Sequence, residues 1–537
     1  MADTKWFKSA VFYEVLVRSF ADADGDGTGD LAGVTGKLDY LAGLGVDCLW
    51  LPPFFPSPLR DGGYDVADYT GVLPELGTLD DMRALLDAAH ALGMRVITDF
   101  VMNHTSDAHP WFQASRTNPA GPYGDFYVWR DAPDAYLDAR VIFIDSLSSN
   151  WSYDEVRGQY FWHRFYPFQP DLNFENPRVL EEMLAALRFW LDLGVDGFRL
   201  DAVPYLVEED GTNCENLPGT HAILKRVRAM VDAEYPGRIL LCEANQWPAD
   251  VIEYFGDGDE CQMAFHFPVM PRLYMGLRQG SRQCISQILA DTPPIPAGCQ
   301  WGTFLRNHDE LTLEMVTEDE RQYMWREYAP LERMKCNLGI RRRLAPLVDG
   351  DARRVRLLHA MLLALPGSPC LYYGDEIGMG DDIWLPDRDG VRTPMQWDSS
   401  PGAGFSTAEV ERFPYPLIAE PAYAPAAVNV ADQQADPGSL LNWLRATLAV
   451  RAQWPALSLG EFADLGGPDA LFSFARVHAG RRLVAVNNLT DAPQSAELTL
   501  DAPALPRVVH GATLELARAD GVLNVTLPPY GFAWIEA

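Results

Sequence analysis

The sequence contains no run of about 18 apolar residues, so no stretch of it reads as a membrane-spanning helix. Its start, MADTKWFKSA, has no apolar segment behind its lysines, which argues against a secretory signal. It has no CxxC pair. Its eight cysteines are scattered, several inside apolar runs, and are expected to be reduced core residues rather than a disulfide frame or a zinc site. Basic residues are scarce: 43 Lys and Arg stand against 75 Asp and Glu, a formal net charge of −32. That excess repels phosphate backbones and anionic lipid, which argues against nucleic acid or a membrane surface as partner. No solenoid-period repeat or low-complexity tract occurs. No G-x-G-x-x-G follows an early strand, which weighs against an open dinucleotide-binding sheet and an organic cofactor of that kind. These absences point to a cytoplasmic protein with a small neutral or cationic ligand.

What is present supports a sizeable core. The chain has 537 residues, 48% hydrophobic and 11% aromatic. That length implies two or three domains unless one is a large barrel. Eight short apolar runs recur, at 11–20, 46–53, 95–101, 195–203, 239–244, 261–267, 301–307 and 370–377. Helix-period segments lie between them, such as 79–92, 177–193 and 221–234. Continuous apolar runs alternating with amphipathic helices predict parallel strands buried on both faces. Eight such units predict a closed (β/α)8 TIM barrel, spanning 1–103 and 171–451. Between the third run and the next helix, residues 104–170 hold sixteen Phe, Trp and Tyr in 67 positions, about twice the chain average, and are expected to form an inserted lid subdomain. A second insertion, about 310–354, is highly charged and helical in pattern. From 452 to 537 short β-rich segments separated by Gly, Pro and Asp predict an antiparallel β-sandwich.

Acidic and polar residues gather where the runs end, which in a barrel is the catalytic face. Asp201 in GVDGFRLDAV, Glu243 in ILLCEANQ and Asp309 in LRNHDE close runs four, five and seven. Carboxylates crowded in a semi-dry mouth must acquire different proton affinities, because like charges resist joint ionisation. One can then act as nucleophile while another keeps its proton, as double displacement at an acetal requires. Arg199 shares a strand face with Asp201 and can hold it ionised. His104 and His308 are suited to hydrogen-bonding sugar hydroxyls, and the Tyr64 ring to stacking on a sugar face. Asn245, two residues past Glu243, is a candidate for contacting a neighbouring sugar. Asp22, Asp24, Asp26 and Asp30 alternate in DADGDGTGD, with Thr28 among them, a hard-oxygen set suited to calcium or magnesium. Position twelve of that loop is Gly33 rather than Glu, so it is not an EF-hand.

DFVMNH (99–104), GFRLD (197–201), Glu243 in LLCEANQ and NHD (307–309) resemble, in order, the four sequence regions of the α-amylase family, glycoside hydrolase family 13. The flanking LPPFFPSPLRDGGYDVADY, QPDLNFENP and RTPMQWD narrow the resemblance to the branch containing α-glucosidases and trehalose synthases, and it covers nearly the whole chain. The resemblance implies Asp201 as nucleophile, Glu243 as acid/base and Asp309 as stabiliser of the cationic sugar. It implies that Arg199, His104 and His308 bind the reacting glucose, with Asp61, Tyr64 and Arg392 closing its far side. It implies a structural cation at the DADGDGTGD loop, and a second held by Asn103, Asp171, Glu208 and the carbonyls of Tyr205 and Leu206. The expected activity is reversible conversion of maltose to trehalose by intramolecular transglucosylation, with minor hydrolysis. Its expected partner is the disaccharide, and a homo-oligomer is left open. The alternatives are an α-glucosidase using the same acids and a non-catalytic barrel serving as a scaffold. The presence of all three acids speaks against the scaffold.

Overall fold

The computed structural model describes residues 4–499, 506–512, 517–519 and 522–537. Eight parallel strands close into a barrel: β1 Phe12–Glu14, β2 Cys48–Leu51, β3 Arg95–Val101, β4 Gly197–Asp201, β5 Ile239–Cys242, β6 Met263–Phe265, β7 Gln300–Phe304 and β8 Ser368–Tyr372. Neighbours in sequence are neighbours in space, and β8 pairs with both β7 and β1, Cys370 lying opposite Phe12. Nearly every strand residue is buried, because helices cover the outside and side chains fill the inside. The eight apolar runs therefore coincide with the eight strands. The first run is strand only over Phe12–Glu14; its far end turns into a short helix, Val17–Phe20.

The connecting helices begin and end where local chemistry says they should. Thr78 and Asp81 form a reciprocal capping box at the start of Leu79–Ala91. Asn176 caps Pro177–Leu193, and left-handed Gly194 ends it at φ +118°. The connection after β5 departs from the pattern: a four-residue helix, Pro248–Val251, and a 3-10 turn, Ile252–Phe255, stand where a full amphipathic helix was expected. At the barrel's lower end, buried Asp196 accepts from Val96 N–H, Arg95 and His90 and pairs with Arg238, tying β3, β4 and β5 together.

The insertion after β3 carries the helix Pro110–Thr117 and a small antiparallel sheet of Trp129–Arg130, Gln159–Trp162 and Trp151–Asp154. Many of its rings pack on one another, Trp151 and Trp162 around Tyr136 among them. The charged insertion after β7 is only partly helical. Beside the helix Glu318–Tyr328 it holds a three-stranded sheet of Leu311–Thr312, Gly339–Ile340 and Lys335–Cys336, which no alternation in the sequence announced.

The helix Leu440–Gln453 runs on past position 452, and the first C-terminal strand starts at Glu461. A five-stranded antiparallel sheet and a three-stranded one face each other across Leu471, Val484, Leu523 and Ile535. Parts of the expected 452–537 sandwich, at 500–505, 513–516 and 520–521, lie outside the described residues. One buried guanidinium docks the sandwich on the barrel: Arg476 donates to the Ala364 and Gly460 carbonyls, while Arg451, on the helix before the sandwich, donates to the Ser9 and Leu363 carbonyls within the barrel. All eight cysteines are free thiols. Among the described residues no helix is long and apolar enough to cross a membrane.

Candidate active site

Three carboxylates meet on one cation at the C-terminal end of the barrel. Arg199 and Asp201 are two residues apart on β4, so both side chains point inward. Arg199 Nη1 donates to Asp201 Oδ1 at 2.5 Å and to Asp99 Oδ1, from β3, at 2.7 Å. Its Nη2 reaches Glu243 Oε1, one residue past β5, at 2.6 Å. Asp201 and Glu243 also hydrogen-bond each other. Glu243 Oε2 accepts the N–H of Ala202, which sits in the left-handed region at φ +53°. A non-glycine residue held there stores strain, and its position immediately after Asp201 turns the chain out of the strand.

The environment separates the acids. Burial pushes the Asp201 carboxyl up to about 6, with Arg199 opposing. Burial pushes Glu243 further, to about 8, helped by the negative charges of Asp201 and Asp309. Asp309 goes the other way: burial would raise it, but His308, Arg388 and Arg392 hold it well below the usual carboxylate range. Near neutrality, then, Asp201 and Asp309 carry charge while Glu243 keeps its proton.

Asp309 lies in the loop after β7, braced from several sides. Arg388 Nη1 meets its Oδ1 at 2.9 Å and Arg392 Nη2 at 3.1 Å; His308 Nε2 lies 3.2 Å from Oδ2. His308 also pairs with buried Glu14, and although burial alone would lower it, Asp309 and Glu14 raise it to about 10, so it is a cation. Tyr64 stacks on His308 at 5.3 Å and 14°, and its hydroxyl bridges His308 and Asp99.

These residues surround a cavity of about 130 Å³. On the scale where a 150 Å³ cavity holds a benzene ring, that is the scale of a small-molecule site rather than a groove for a polymer. Asp61, Tyr64, His104, Asp201, Glu243, Asn245 and Asp309 line it, as expected of ligand-contacting residues. His104 Nε2 is buried without a partner, and burial lowers its ring to about 3, so the neutral imidazole is free to meet a ligand. Arg199, His308 and Arg392 do not line the cavity: they lie beneath it, spent on the carboxylates and on the His308 carbonyl. The guanidinium that faces the cavity is Arg388, which joins Asp309 to Asp61 (Nη2 to Oδ1, 2.7 Å). Sequence reasoning passed over Arg388, four residues before Arg392 in DRDGVR, and Gln169, which donates to Asp61 Oδ2 at 2.9 Å. It also missed Phe143, Phe165, Glu310, Thr312 and Glu314, which come from the insertions and carry no positional signal in one sequence.

The two insertions are joined over the mouth. Arg140, from the first, meets Glu215 at 2.8 Å and Glu314, from the second, at 2.9 Å. Asn337 N–H donates to Asp145 at 2.8 Å across the same seam.

Two oxygen clusters suit a cation. Carboxylate oxygens of Asp22, Asp24 and Asp30 lie within 4.8 Å of one another. Asp26 stands apart from that trio, its Oδ1 accepting the Thr28 N–H at 2.7 Å. In the second cluster Asn103 Oδ1, Asp171 Oδ2 and Glu208 Oε1 are all buried and all lack a partner. Burial raises Asp171 to about 8, and burial and repulsion from Asp171 raise Glu208 well above the carboxylate range. Tyr205 and Leu206 belong to the turn leading to Glu208, and the Tyr205 hydroxyl is taken by Arg140.

Comparison with known proteins agrees with this geometry. The family model for the alpha amylase catalytic domain matches residues 14–338 and 341–460. A model for the C-terminal immunoglobulin-like domain of D-apionate lactonase matches 468–535. The chain is 59% identical to the trehalose synthase/amylase TreS of Mycobacterium tuberculosis, over all of this chain and 91% of that one. It is 59% identical to the trehalose synthase of a Pimelobacter species, over 99% of this chain and 96% of that one. Among solved structures, the α-glucosyl transfer enzyme XgtA superposes with a TM-score of 0.79 at 31% identity, over 99% of both chains. The trehalulose synthase MutB of Pseudomonas mesoacidophila does so with 0.79 at 28%, again over 99% of both.

Removing the shared cation should be felt as a pH-dependent loss of stability. Arg199→Leu leaves Asp99, Asp201 and Glu243 buried without it, at a cost of about 3–5 kcal/mol. Their folded-state proton affinities then rise further above the unfolded values, so the penalty grows with pH and protonation relieves it. The thermal midpoint of the variant should fall further below wild type at about pH 8 than at about pH 5; an equal drop at both would show that the guanidinium does not serve the carboxylates.

Proposed function

The chain belongs to the α-amylase family, and from that membership and the pocket we propose that it interconverts maltose and trehalose by moving a glucosyl group within one bound sugar pair. Asp201 attacks the anomeric carbon as the bond to the bridging oxygen breaks, and Glu243 passes its proton to that oxygen. The glucosyl group is then an ester of Asp201, and a free glucose shares the pocket. When that glucose turns, its own anomeric oxygen attacks the same carbon. Its proton goes to the Glu243 carboxylate and the ester bond to Asp201 breaks. Two inversions retain the α configuration.

The observation that carries this reading is the split between two carboxyls bridged by one guanidinium in a small cavity at the end of the barrel. Nucleophile and acid must differ in protonation at one pH, and their separation here spans neutrality. Asp309, kept ionised by His308, Arg388 and Arg392, faces the ring where positive charge develops. Transfer in place of hydrolysis requires that water be kept from the ester while glucose turns. The Arg140 bridge between the two insertions supports that: it ties the roof over the mouth, and its momentary opening accounts for minor hydrolysis.

For the metals, we read the Asn103–Asp171–Glu208 cluster as a calcium site, with the Tyr205 and Leu206 carbonyls completing it. Three buried oxygens without partners, two of them on neighbouring carboxyls, are an oxygen set that a bound cation would satisfy together. The Asp22–Asp24–Asp30 loop, with Asp26 and Thr28 beside it, would hold a second, magnesium being the alternative ion. Both would order loops.

Incubation with maltose, with products resolved by chromatography, tests the activity. Trehalose should dominate with a little glucose; glucose alone would sink the proposal. Asp201→Asn should abolish turnover, at least ~10⁴-fold for loss of a covalent nucleophile. The rate against pH should be bell-shaped. Its acid limb lies near Asp201's value of about 6 and its alkaline limb near Glu243's value of about 8, because activity needs the first deprotonated and the second protonated. Glu243→Gln should remove the alkaline limb from whatever activity remains. Chelation should lower the thermal midpoint and added calcium restore it; a midpoint indifferent to both would remove the metal assignment.

A further inference from the structure

Three cations brace Asp309, and only one of them can lose its charge. Arg388 and Arg392 are guanidiniums, which proteins do not deprotonate, whereas His308 carries an imidazole. Behind that imidazole stands Glu14, the last residue of β1, fully buried and absent from the cavity lining. Its Oε1 pairs with His308 Nδ1 and also accepts the His308 backbone N–H at 3.3 Å. Its Oε2 is buried without a hydrogen-bond partner, so among the described residues His308 is the cation on which the charge of Glu14 is spent.

The groups around the ring ask for two N–H donors. Tyr64 gives its hydroxyl hydrogen to Asp99 at 3.0 Å, so toward His308 Nε2, 2.8 Å away, its oxygen can only accept. Asp309 Oδ2, 3.2 Å from the same nitrogen, is an acceptor too, and Glu14 is the acceptor at Nδ1. A neutral imidazole has one N–H and an imidazolium has two, so these surroundings fit the cation. The other titratable or charged groups near the ring or near Glu14 are Asp99 on β3, Cys370 and Tyr372 on β8, Asp375 just past β8, and Arg392, which donates to the His308 carbonyl. Of these only Arg392 is a cation, and it opposes a positive charge on the ring.

We propose that Glu14 is a positioning residue for the reaction: acting through His308, it holds the imidazole as a two-donor cation aimed at Asp309, so that Asp309 meets the developing positive charge of the sugar as a fully braced carboxylate. The proposal rests on the reading in which Asp309 stabilises a glucosyl cation. Against burial, Asp309 and Glu14 raise the ring to about 10, in keeping with the hydrogen bonds. Without the charge of Glu14 that value falls, and the ring sheds its proton within the range where the enzyme works.

α-Glucosyl fluoride isolates the effect. The C–F bond breaks as Asp201 attacks and fluoride leaves as the anion, so kcat/KM for its release needs no proton donor. In Glu243→Gln, which removes that carboxyl's own titration, this rate should rise through about pH 6 and stay level to about pH 9. Adding Glu14→Gln, which keeps the size and an acceptor but not the charge, should bring in an alkaline limb at about pH 8 or below, with a loss of about tenfold or more at pH 9 and a smaller one at pH 7. Glu14→Asp, which keeps the charge, should restore the level profile. No new alkaline limb in Glu14→Gln, or the same loss at every pH, would overturn the assignment. The ring can also be read directly in the otherwise unaltered protein. The His308 ring-nitrogen NMR resonances, identified by their absence from His308→Asn, should be those of an imidazolium at about pH 8.5. A neutral imidazole there would overturn the assignment whether or not Glu14→Gln folds. Wild-type enzyme that releases no fluoride at any pH would instead overturn the glucosyl-transfer reading itself.

Discussion

One guanidinium organises this molecule's chemistry. Arg199 is almost wholly buried, and three carboxylates from three adjacent strands converge on it. Burying a cation is costly unless partners surround it, and burying three anions together is costlier still. Each is tolerable here only because of the other. The sharing is also unequal. Asp99 and Asp201 crowd one nitrogen, while Glu243 has the second nitrogen to itself and meets the field of two other acids. That inequality makes one carboxyl a base and its neighbour an acid within a single hydrogen-bonded cluster. Asp309, outside the cluster and ringed by cations, is pushed to the opposite extreme.

The barrel alone would leave this cluster open to water. The roof comes from segments that contribute nothing to the barrel: an aromatic-rich insertion after β3 and a charged one after β7. Packing holds each insertion together, but polar contacts hold them to each other, Arg140 to Glu314 and Asn337 to Asp145. A seam of partly exposed ion pairs is far weaker than a core, since solvent screens it. A roof fastened that way can open for a disaccharide and close over its two halves. The insertions thus decide how the site meets solvent, whereas the clustered acids come from the strand ends.

Much of this was readable from residue order. Eight apolar runs became eight strands because a strand buried on both faces tolerates few polar residues, and that constraint is visible locally. That Asp201, Glu243 and Asp309 meet was legible because groups that follow strand ends converge on one face of a barrel. Asn103, Asp171 and Glu208 came from the family resemblance, and their unpartnered oxygens supply an independent physical reason to place a cation among them. Arg199, His308 and Arg392, expected to bind the glucose, are engaged with the carboxylates and with one another's backbone, and they are absent from the cavity lining. Arg388, with no signal beyond its proximity to Arg392, is the arginine in the cavity.

The sequence by itself determined which residues end strands, which are charged and which elements alternate, because periodicity and burial act over a few neighbouring positions. Only the tertiary structure decided which face of the site each charge takes. That depends on competition among groups hundreds of residues apart, such as Asp61 and Arg388, or Glu14 and His308. Local pattern carries no information about which of two arginines four residues apart, both paired with Asp309, will also face the cavity.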